Sequence, residues 1–327
     1  LTLTGRNDWA SQLANSSTSS FFYPSVGLSG VISEMIQMPS IIDYMKVRGS
    51  FSSVGMPYPR NLTSPTYEYN EATQSWKPKT HYPIGDLKPE RTDSWEVGLD
   101  MKLFKDFNLG LSWYLANTFN QTFDPQISVS SGYTTIYLQT GYVRNTGLEL
   151  SLGYGHTWNN NFRWDSNFTL SHNKNKIKEL VRDYVHPETG ELINKDRLDV
   201  GGLGKARFIL KEGGTLGDLY TQSDLKRDDN GMVDIDPTGI VAIENNLPDI
   251  KLGSVFPKAN LAWSNHFSWK GISLSALFTA RIGGIVYSAT EAAMDQYGVS
   301  ERSALARDNG GVLVNNRTLV DAQNYYT

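Results

Sequence analysis

The chain has 327 residues, no cysteine, and 30 basic against 34 acidic side chains, for a net charge of −4. That near-balance offers no basic stripe for nucleic acid, and the missing thiols exclude disulfides, thiolate metal sites and a cysteine nucleophile. No secretory leader opens at Leu1 and no apolar run is long enough for a membrane helix. A membrane barrel is not excluded, because its strands alternate and keep mean hydropathy low.

In chain order, period-two alternation predicts nine strands, over about 1–9, 21–32, 43–53, 91–104, 107–118, 141–156, 161–172, 258–269 and 271–282. Leu1 and Leu3 begin the first; Phe22, Val26 and Leu28 mark the second, and Met45, Val47 and Phe51 the third. Trp95, Val97, Leu99, Met101 and Leu103 alternate with Glu96, Gly98, Asp100 and Lys102, and Phe107 to Leu115 continues the pattern after a Lys105-Asp106 turn. Leu148, Leu150 and Leu152, then Trp164, Phe168 and Leu170, repeat it. Leu261, Trp263 and Phe267, then Leu274, Ala276 and Phe278, close the series across a Lys270-Gly271 turn. Most of these runs reach ten residues, longer than the globular mode of about five or six and matched to a tilted bilayer crossing of roughly 9–11. The parity predicts that Leu99, Leu109, Leu111, Leu150, Leu274 and Phe278 face lipid, and that Glu96, Asp100, Glu149 and Ser275 face a lumen.

Tight connections at Lys105-Asp106, Asn159-Asn160-Asn161 and Lys270-Gly271 alternate with long polar ones, at about 54–90, 119–140, 173–257 and 283–327. Segments 10–20 and 33–42 take a long-side and a short-side place. This asymmetry is that of an outer-membrane barrel with short periplasmic turns and long extracellular loops. Phe104, Phe107, Trp158, Phe162 and Trp269 flank the tight turns, as a membrane-interface girdle would or as the packed end of a soluble core would. Nine strands running from Leu1 to an outside end at Tyr325-Tyr326-Thr327 leave two unpaired edges, so a fragment is expected.

No chemical constellation stands out. Gly201-Gly202-Leu203-Gly204 and Gly213-Gly214-Thr215-Leu216-Gly217 lack the Lys-Ser/Thr of a phosphate loop and read as loop glycines. Asp224 to Asp236 resembles a calcium loop, but with Gly231 in register Lys226 and Pro237 occupy the first and twelfth positions, where carboxylates are needed. A solvated Asp/Asn/Gly turn fits better, with an irregular ion site at 224–236 left open. His81, His156, His172, His186 and His266 are dispersed without metal-ligand spacing. No catalytic, cofactor, metal or substrate residue can therefore be assigned. Tyr58, Tyr67, Tyr69, Trp76 and Tyr82 lie among six prolines (Pro57, Pro59, Pro65, Pro78, Pro83 and Pro89). They suit either stacking on a ligand or partner, or packing of the loop upon itself.

Several strings resemble a known family. Gly5-Arg6-Asn7-Asp8-Trp9-Ala10-Ser11, followed by Phe22-Tyr23-Pro24-Ser25-Val26, is similar to the RNDWSS…FYPS segment of SusC-type barrels. Leu87-Lys88-Pro89-Glu90-Arg91-Thr92, running into Trp95 to Asp100, resembles an entry strand shared by TonB-dependent barrels more widely. Leu252 to Lys258, Arg281-Ile282-Gly283-Gly284 with Val286-Tyr287, Met294 to Ser300 and Arg307 to Gly311 are similar to further SusC/RagA strings. The resemblance implies an all-β transmembrane antiparallel barrel of 22 strands with an N-terminal plug and a TonB box, neither of which is expected in this segment. It also implies TonB-dependent import of glycans or peptides across a Gram-negative outer membrane, without enzymatic chemistry or cofactor. The implied partners are a SusD-like lipoprotein, the TonB complex through the N-terminal parts, the bilayer and the ligand, with no nucleic acid. The rival reading is a soluble secreted all-β carbohydrate-binding module or hydrolase domain.

Overall fold

A computed structural model describes residues 1–13, 16–58, 67–78, 81–82, 88–123, 135–158, 161–185, 190 and 192–326. The chain divides into two compact units, the first comprising 1–200, 210–216 and 256–284, the second 201–209, 217–255 and 285–327.

The first unit is built on one nine-stranded sheet whose strand order follows chain order. Its strands are β1 (Thr2–Trp9), β2 (Ser20–Val31), β3 (Ile42–Met56), β4 (Glu90–Leu103), β5 (Phe107–Phe123), β6 (Leu138–Trp158), β7 (Phe162–Glu179), β8 (Ala259–Trp269) and β9 (Ile272–Ile282). Every neighbouring pair is antiparallel. Register keeps the two parities apart across the sheet. One cross-strand row reads Val47, Leu99, Leu111, Leu150, Leu170, Leu261 and Ala280. The adjacent row reads Arg48, Gly98, Ser112, Glu149, Ser171, Asn260 and Arg281. Because the side-chain period is two, a slip of one residue in any strand would put an arginine or glutamate into the leucine row.

The tight turns follow from backbone geometry. Phe104 and Lys105 both have positive φ, 50° and 65°, and so do Lys270 and Gly271, 46° and 86°. This is the twist that matches two antiparallel strands. The first turn spans residues 104–106, so it holds the predicted Lys105-Asp106 and opens one residue earlier, and the Lys105 N–H is held by the Asp43 carboxylate at 2.5 Å. The tip of the 159–161 turn lies partly outside the described residues.

All nine strands appear, but four outgrow their predicted bounds at the long-connection end: β3, β5, β6 and β7 run to 15, 17, 21 and 18 residues. The connections drawn as 54–90, 119–140 and 173–257 are shortened accordingly. The cause is visible at Val143 and Ile177, apolar residues on the otherwise polar parity that are buried to 1% and 0% exposure. They join Leu13, Tyr58, Leu180, Val181, Leu198 and Leu210 in a small core. Covering segments there reverse the sidedness, so the alternation that marks the rest of each strand fails.

The predicted alternation of short and long connections also needs correction at its start. Residues 10–19 and 32–41 are both ten long, the latter carrying a helical turn at Ile32–Met35.

The second unit replaces what the sequence suggested was a polar connection. Strands Asp218–Leu225 and Ile243–Ser254 pair antiparallel, and the first also pairs with Ala206–Lys211 at Arg207 and Phe208. Segment 285–327 carries helices Ala289–Gln296 and Glu301–Asp308, a hairpin of Val312–Val314 with Thr318–Val320, and a final turn at Ala322–Tyr326. Ser288 and Ser300 cap the two helices, the second through a full capping box with Ser303. Val241, Val314 and Val320 form the core, packed by Leu225, Val233, Ile235 and Tyr325.

Candidate functional site

The chemistry-bearing surface is the polar face of the nine-stranded sheet. It is hollow: strands β3 to β9 line a depression of about 1130 Å3 that includes Asp100, Lys102, Ser151, Arg163, Asp165 and His266. A second, of about 700 Å3, includes Arg48, Ser112, Glu149, Ser171, Asn260 and Arg281. Glu96, Asp100, Glu149 and Ser275 all carry the parity of this face, as expected from sequence.

Arg48 organises one half. Its guanidinium reaches Glu96 at 2.6 Å and the Ser112 hydroxyl at 2.5 Å, with Asp100 at 4.0 Å. The side chain can lie flat across β4 only because residue 98 is glycine, where a Cβ would sit 2.4 Å from Arg48 Nε. Gly147 does the same for Tyr114, whose ring would be 2.2 Å from an added Cβ. In the other half Arg163 pairs with Asp165 at 2.6 Å and His266 Nδ1 with the Ser275 hydroxyl at 2.8 Å. The result is a wall of flattened, partly paired charges with hydroxyls and amides between them. It can exchange hydrogen bonds with a hydrated solute.

The opposite face is apolar and open to solvent. Leu274, Phe278, Trp95 and Leu28 are each more than half exposed, the reverse of a soluble protein, where such a patch is rare beyond a few hundred Å2. The expected lipid-facing set, Leu99, Leu109, Leu111, Leu150, Leu274 and Phe278, shares this parity. Polar atoms on it are satisfied locally: Trp164 Nε1–H donates to Asn265 Oδ1 and Trp263 Nε1–H to the Ser166 hydroxyl, both at 3.0 Å. From Phe107 to Leu115 the apolar stretch of β5 covers nine residues before Asn117. At about 3.3 Å per residue and a tilt near 40° that is roughly 23 Å, close to the apolar band of an outer-membrane barrel. At the tight-turn end, ring centroids link Phe107 to Tyr154 at 4.7 Å, Tyr154 to Trp164 at 5.2 Å, Trp158 to Phe162 at 5.5 Å and Trp164 to Phe267 at 6.0 Å. Lys270 sits over Trp269. This aromatic row matches the girdle rather than the end of a soluble core, because its rings lie on the open face.

The remaining sequence candidates separate. His156 bonds Asp106 at 2.8 Å and His172 the Lys258 carbonyl at 2.5 Å; His186 and the side chain of His81 lie outside the described residues. Among the described residues no group of His, Asp and Glu could hold a metal ion. Gly201 and Gly202 lie in the strand Arg197–Leu203, not in a loop, while Gly204 and Gly213 turn at positive φ. Tyr69 and Trp76 face each other at 5.2 Å across the hairpin Tyr67–Asn70/Ser75–Pro78, so these two pack on one another, and Tyr58 is buried. The side chain of Tyr82 is outside the described set.

Segment 224–236 holds the Asp/Asn/Gly turn expected from sequence, at Asp228, and at its end a second, like turn begins at Asp236. Asp228 accepts from the backbone N–H of Asn230 and Met232, both at 2.9 Å. Asp236 accepts from the N–H of Thr238 at 2.8 Å and Ile240 at 3.0 Å, and from the Thr238 hydroxyl. Gly231 and Gly239 close both turns at φ 77° and 83°. The repeated signal, Asp-x-Asn/Thr-Gly eight residues apart, was legible. These hydrogen bonds hold both carboxyls below the usual aspartate range: the Met232 N–H foremost for Asp228, the Thr238 hydroxyl for Asp236.

A family model described as TonB dependent receptor-like, beta-barrel matches residues 1–199. TonB-dependent receptor P26 of Formosa agariphila is 26% identical over 313 residues, 88% of this chain and 30% of its own length. TonB-dependent receptor P39 of the same organism is 27% identical over 211 residues, 62% of this chain and 18% of its own. The chain thus spans under a third of the length of these relatives. A structure of the RagAB peptide transporter superposes on 85% of this chain and 31% of its own, at 21% identity and a TM-score of 0.65. Another, of the RagAB peptide importer in a closed-closed state, covers 86% and 31% at 21% identity and a TM-score of 0.63. These findings, with an open apolar face, set aside the soluble secreted module. The chain belongs to the TonB-dependent receptor β-barrel family and forms wall of a Gram-negative outer-membrane barrel.

Proposed function

We propose that this wall serves TonB-dependent import of nutrient oligomers, with the polar face lining the passage and the long connections lying outside the cell. The observation that carries the reading is the sheet's two-sidedness: leucine rows outward, and an Arg48–Glu96–Ser112 network with its glycine clearance inward. A passage of this kind moves a solute by exchanging hydrogen bonds, with no covalent step. Energy coupling, through a plug and a TonB box, belongs to other parts of such a protein. Of the two ligand classes, peptides are favoured over glycans by the fold shared with a peptide transporter. A SusD-like lipoprotein over the long connections is the partner the SusC/RagA type supports.

The experiment is purification of the whole transporter from native membranes, with mass spectrometry of what accompanies it. A surface lipoprotein and short peptides are expected. Protease added to intact cells should cut within 54–90 or 173–257, and more so without the lipoprotein, while sparing Lys105-Asp106 and Lys270-Gly271. Cleavage at those tight turns in intact cells would reverse the orientation, and a glycan in place of peptides would change the substrate class.

A further inference from the structure

On β7 the open-face parity changes character within one strand. Phe162, Trp164, Phe168 and Leu170 give way to His172, Lys174 and Lys176 at successive outward positions, and Lys178 stands exposed in a bulge between Ile177 and Glu179. The intervening residues Asn175 and Ile177 are buried on the other side, which fixes Lys174 and Lys176 as outward. Arg144 on β6 is the register partner of Lys176, so four cations share one small area. Lys174 and Lys178 are exposed and Lys176 is partly buried.

Among the described residues none of the three lysines makes an ion pair, and nearby acids are engaged elsewhere. Asp93 holds Arg91 at 2.7 Å, and Arg182 takes Glu212 at 3.3 Å and Glu179 at 3.8 Å. Arg144 is tied to neutral partners, donating to Asn117 Oδ1 at 2.9 Å with its guanidinium over the Tyr142 ring. Lysines two residues apart on one strand face are about 7 Å apart. Lys174 lies four residues beyond Leu170, or about 13 Å along the strand, at the level where an apolar band ends and headgroups begin.

The geometry points to a site on this outer surface for the phosphate-bearing headgroup of an outer-leaflet glycolipid, made by Lys174, Lys176 and Lys178 with Arg144. The lysine stems lie along the acyl boundary while their ammonium groups meet phosphate, as cations at a membrane edge do. The charge is uncompensated, faces away from the passage and begins where the apolar residues stop. An acidic solute or a lid over the passage would not need cations there. The assignment rests on the proposed orientation, with the long connections outside.

The test uses the whole transporter in phosphatidylcholine nanodiscs doped with either phosphorylated lipid A or the same lipid A stripped of phosphate. Lipid retained per protein is measured by mass spectrometry for wild type, for the triple variant Lys174→Ala/Lys176→Ala/Lys178→Ala, and for the triple Lys→Arg variant. Wild type and the arginine variant should retain the phosphorylated lipid, and the alanine variant about tenfold less or lower. The stripped lipid should not distinguish them. Heat-modifiable gel migration of each variant confirms a folded barrel, and the arginine variant reports on charge with the ladder intact. Equal retention by wild type and the alanine variant overturns the site. Displacement by millimolar inorganic phosphate alone assigns it to a free anion and overturns the lipid source. Loss of a co-purifying protein with unchanged lipid gives the ladder to an acidic partner and does the same. An impermeant maleimide on Lys178→Cys separates the two proposals: labelling only after lysis refutes the orientation, whereas labelling on intact cells without a lipid difference refutes this inference alone.

Discussion

The nine-stranded wall and the unit formed by 201–209, 217–255 and 285–327 are made from one chain by opposite rules. In the wall the large apolar residues are exposed and the opposing face is built from Arg48, Glu96, Ser112 and Glu149 over glycine. In the smaller unit Val241, Val314 and Val320 are each at most 6% exposed, and polar side chains are spent on capping and turns. The difference is one of solvent. A wall between lipid and a hydrated passage needs every backbone group paired in ladders, and apolar side chains facing out. A folded connection in water needs an interior, and with few apolar residues it relies on side-chain-to-backbone hydrogen bonds to fix its shape.

The sharpest way to break this comparison is to move charge across the wall. Leu111→Arg should cost on the order of 2–4 kcal/mol in reversible unfolding from bilayers, while Ser171→Arg, on the polar face in register with Glu149, should change stability little. Equal costs would mean that the two faces meet the same medium. Cysteines at Leu99, Leu109, Leu150, Leu274 and Phe278 should be reached by lipid-borne quenchers, and those at Glu96, Asp100, Glu149 and Ser275 by water-soluble reagents.

Smaller effects test the second unit. Val320, 3% exposed in its core, should cost about 2 kcal/mol as Val320→Ala. The readout is faster proteolysis within 217–255 while heat-modifiable migration of the barrel stays unchanged; a simultaneous loss of barrel migration would show the units unfold together. Asn315 donates to the Val233 carbonyl at 2.8 Å and accepts from its N–H at 2.9 Å. Asn315→Ala leaves both groups without that partner and should cost about 1–2 kcal/mol, read as faster amide exchange at Val233.

The wall was legible because lipid on one side and water on the other write a period of two into every strand, and the leucine row survives seven strands in register. Legibility failed where that contrast failed. Val143 and Ile177 are apolar on the polar parity because segments at the long-connection end cover them, so β6 and β7 read as shorter than they are. The second unit was read as loop because its helices are short and even its twelve-residue strand Ile243–Ser254 carries no sustained period-two alternation. Its shape depends on pairings between residues far apart in sequence, such as Val233 with Asn315, that no local pattern announces. The turn at Lys105-Asp106 was read without its opening residue, Phe104, because an aromatic at φ 50° runs against the usual preference for Asn, Asp or Gly. The lysine series at 174, 176 and 178 could be read directly, but its meaning required knowing which parity was outward.

The smallest expected effect concerns the twin turns at Asp228 and Asp236. Asp228 is exposed and Asp236 half-buried, and both carboxylates accept several hydrogen bonds that favour the ionised form, so each titrates below the usual aspartate range. In the unfolded chain that bonding is lost and an aspartate titrates near its ordinary value of about 3.9. A group whose pKa is lower when folded stabilises the folded form fully above the unfolded value, and this contribution disappears as pH falls through the folded one. Amide protection at Met232 and Ile240 should therefore be flat from about pH 7 to about pH 5, and should decline only below roughly 3.9. Asp236→Asn keeps an acceptor oxygen without a titrating proton, so protection at Ile240 should persist into acid while that at Met232 still falls. Hydrogen exchange read by mass spectrometry across 226–242 resolves the two turns. Loss of protection already at pH 5 in the wild type would show that something other than these carboxylates holds the segment, and an unchanged acid response in Asp236→Asn would remove Asp236 from the account.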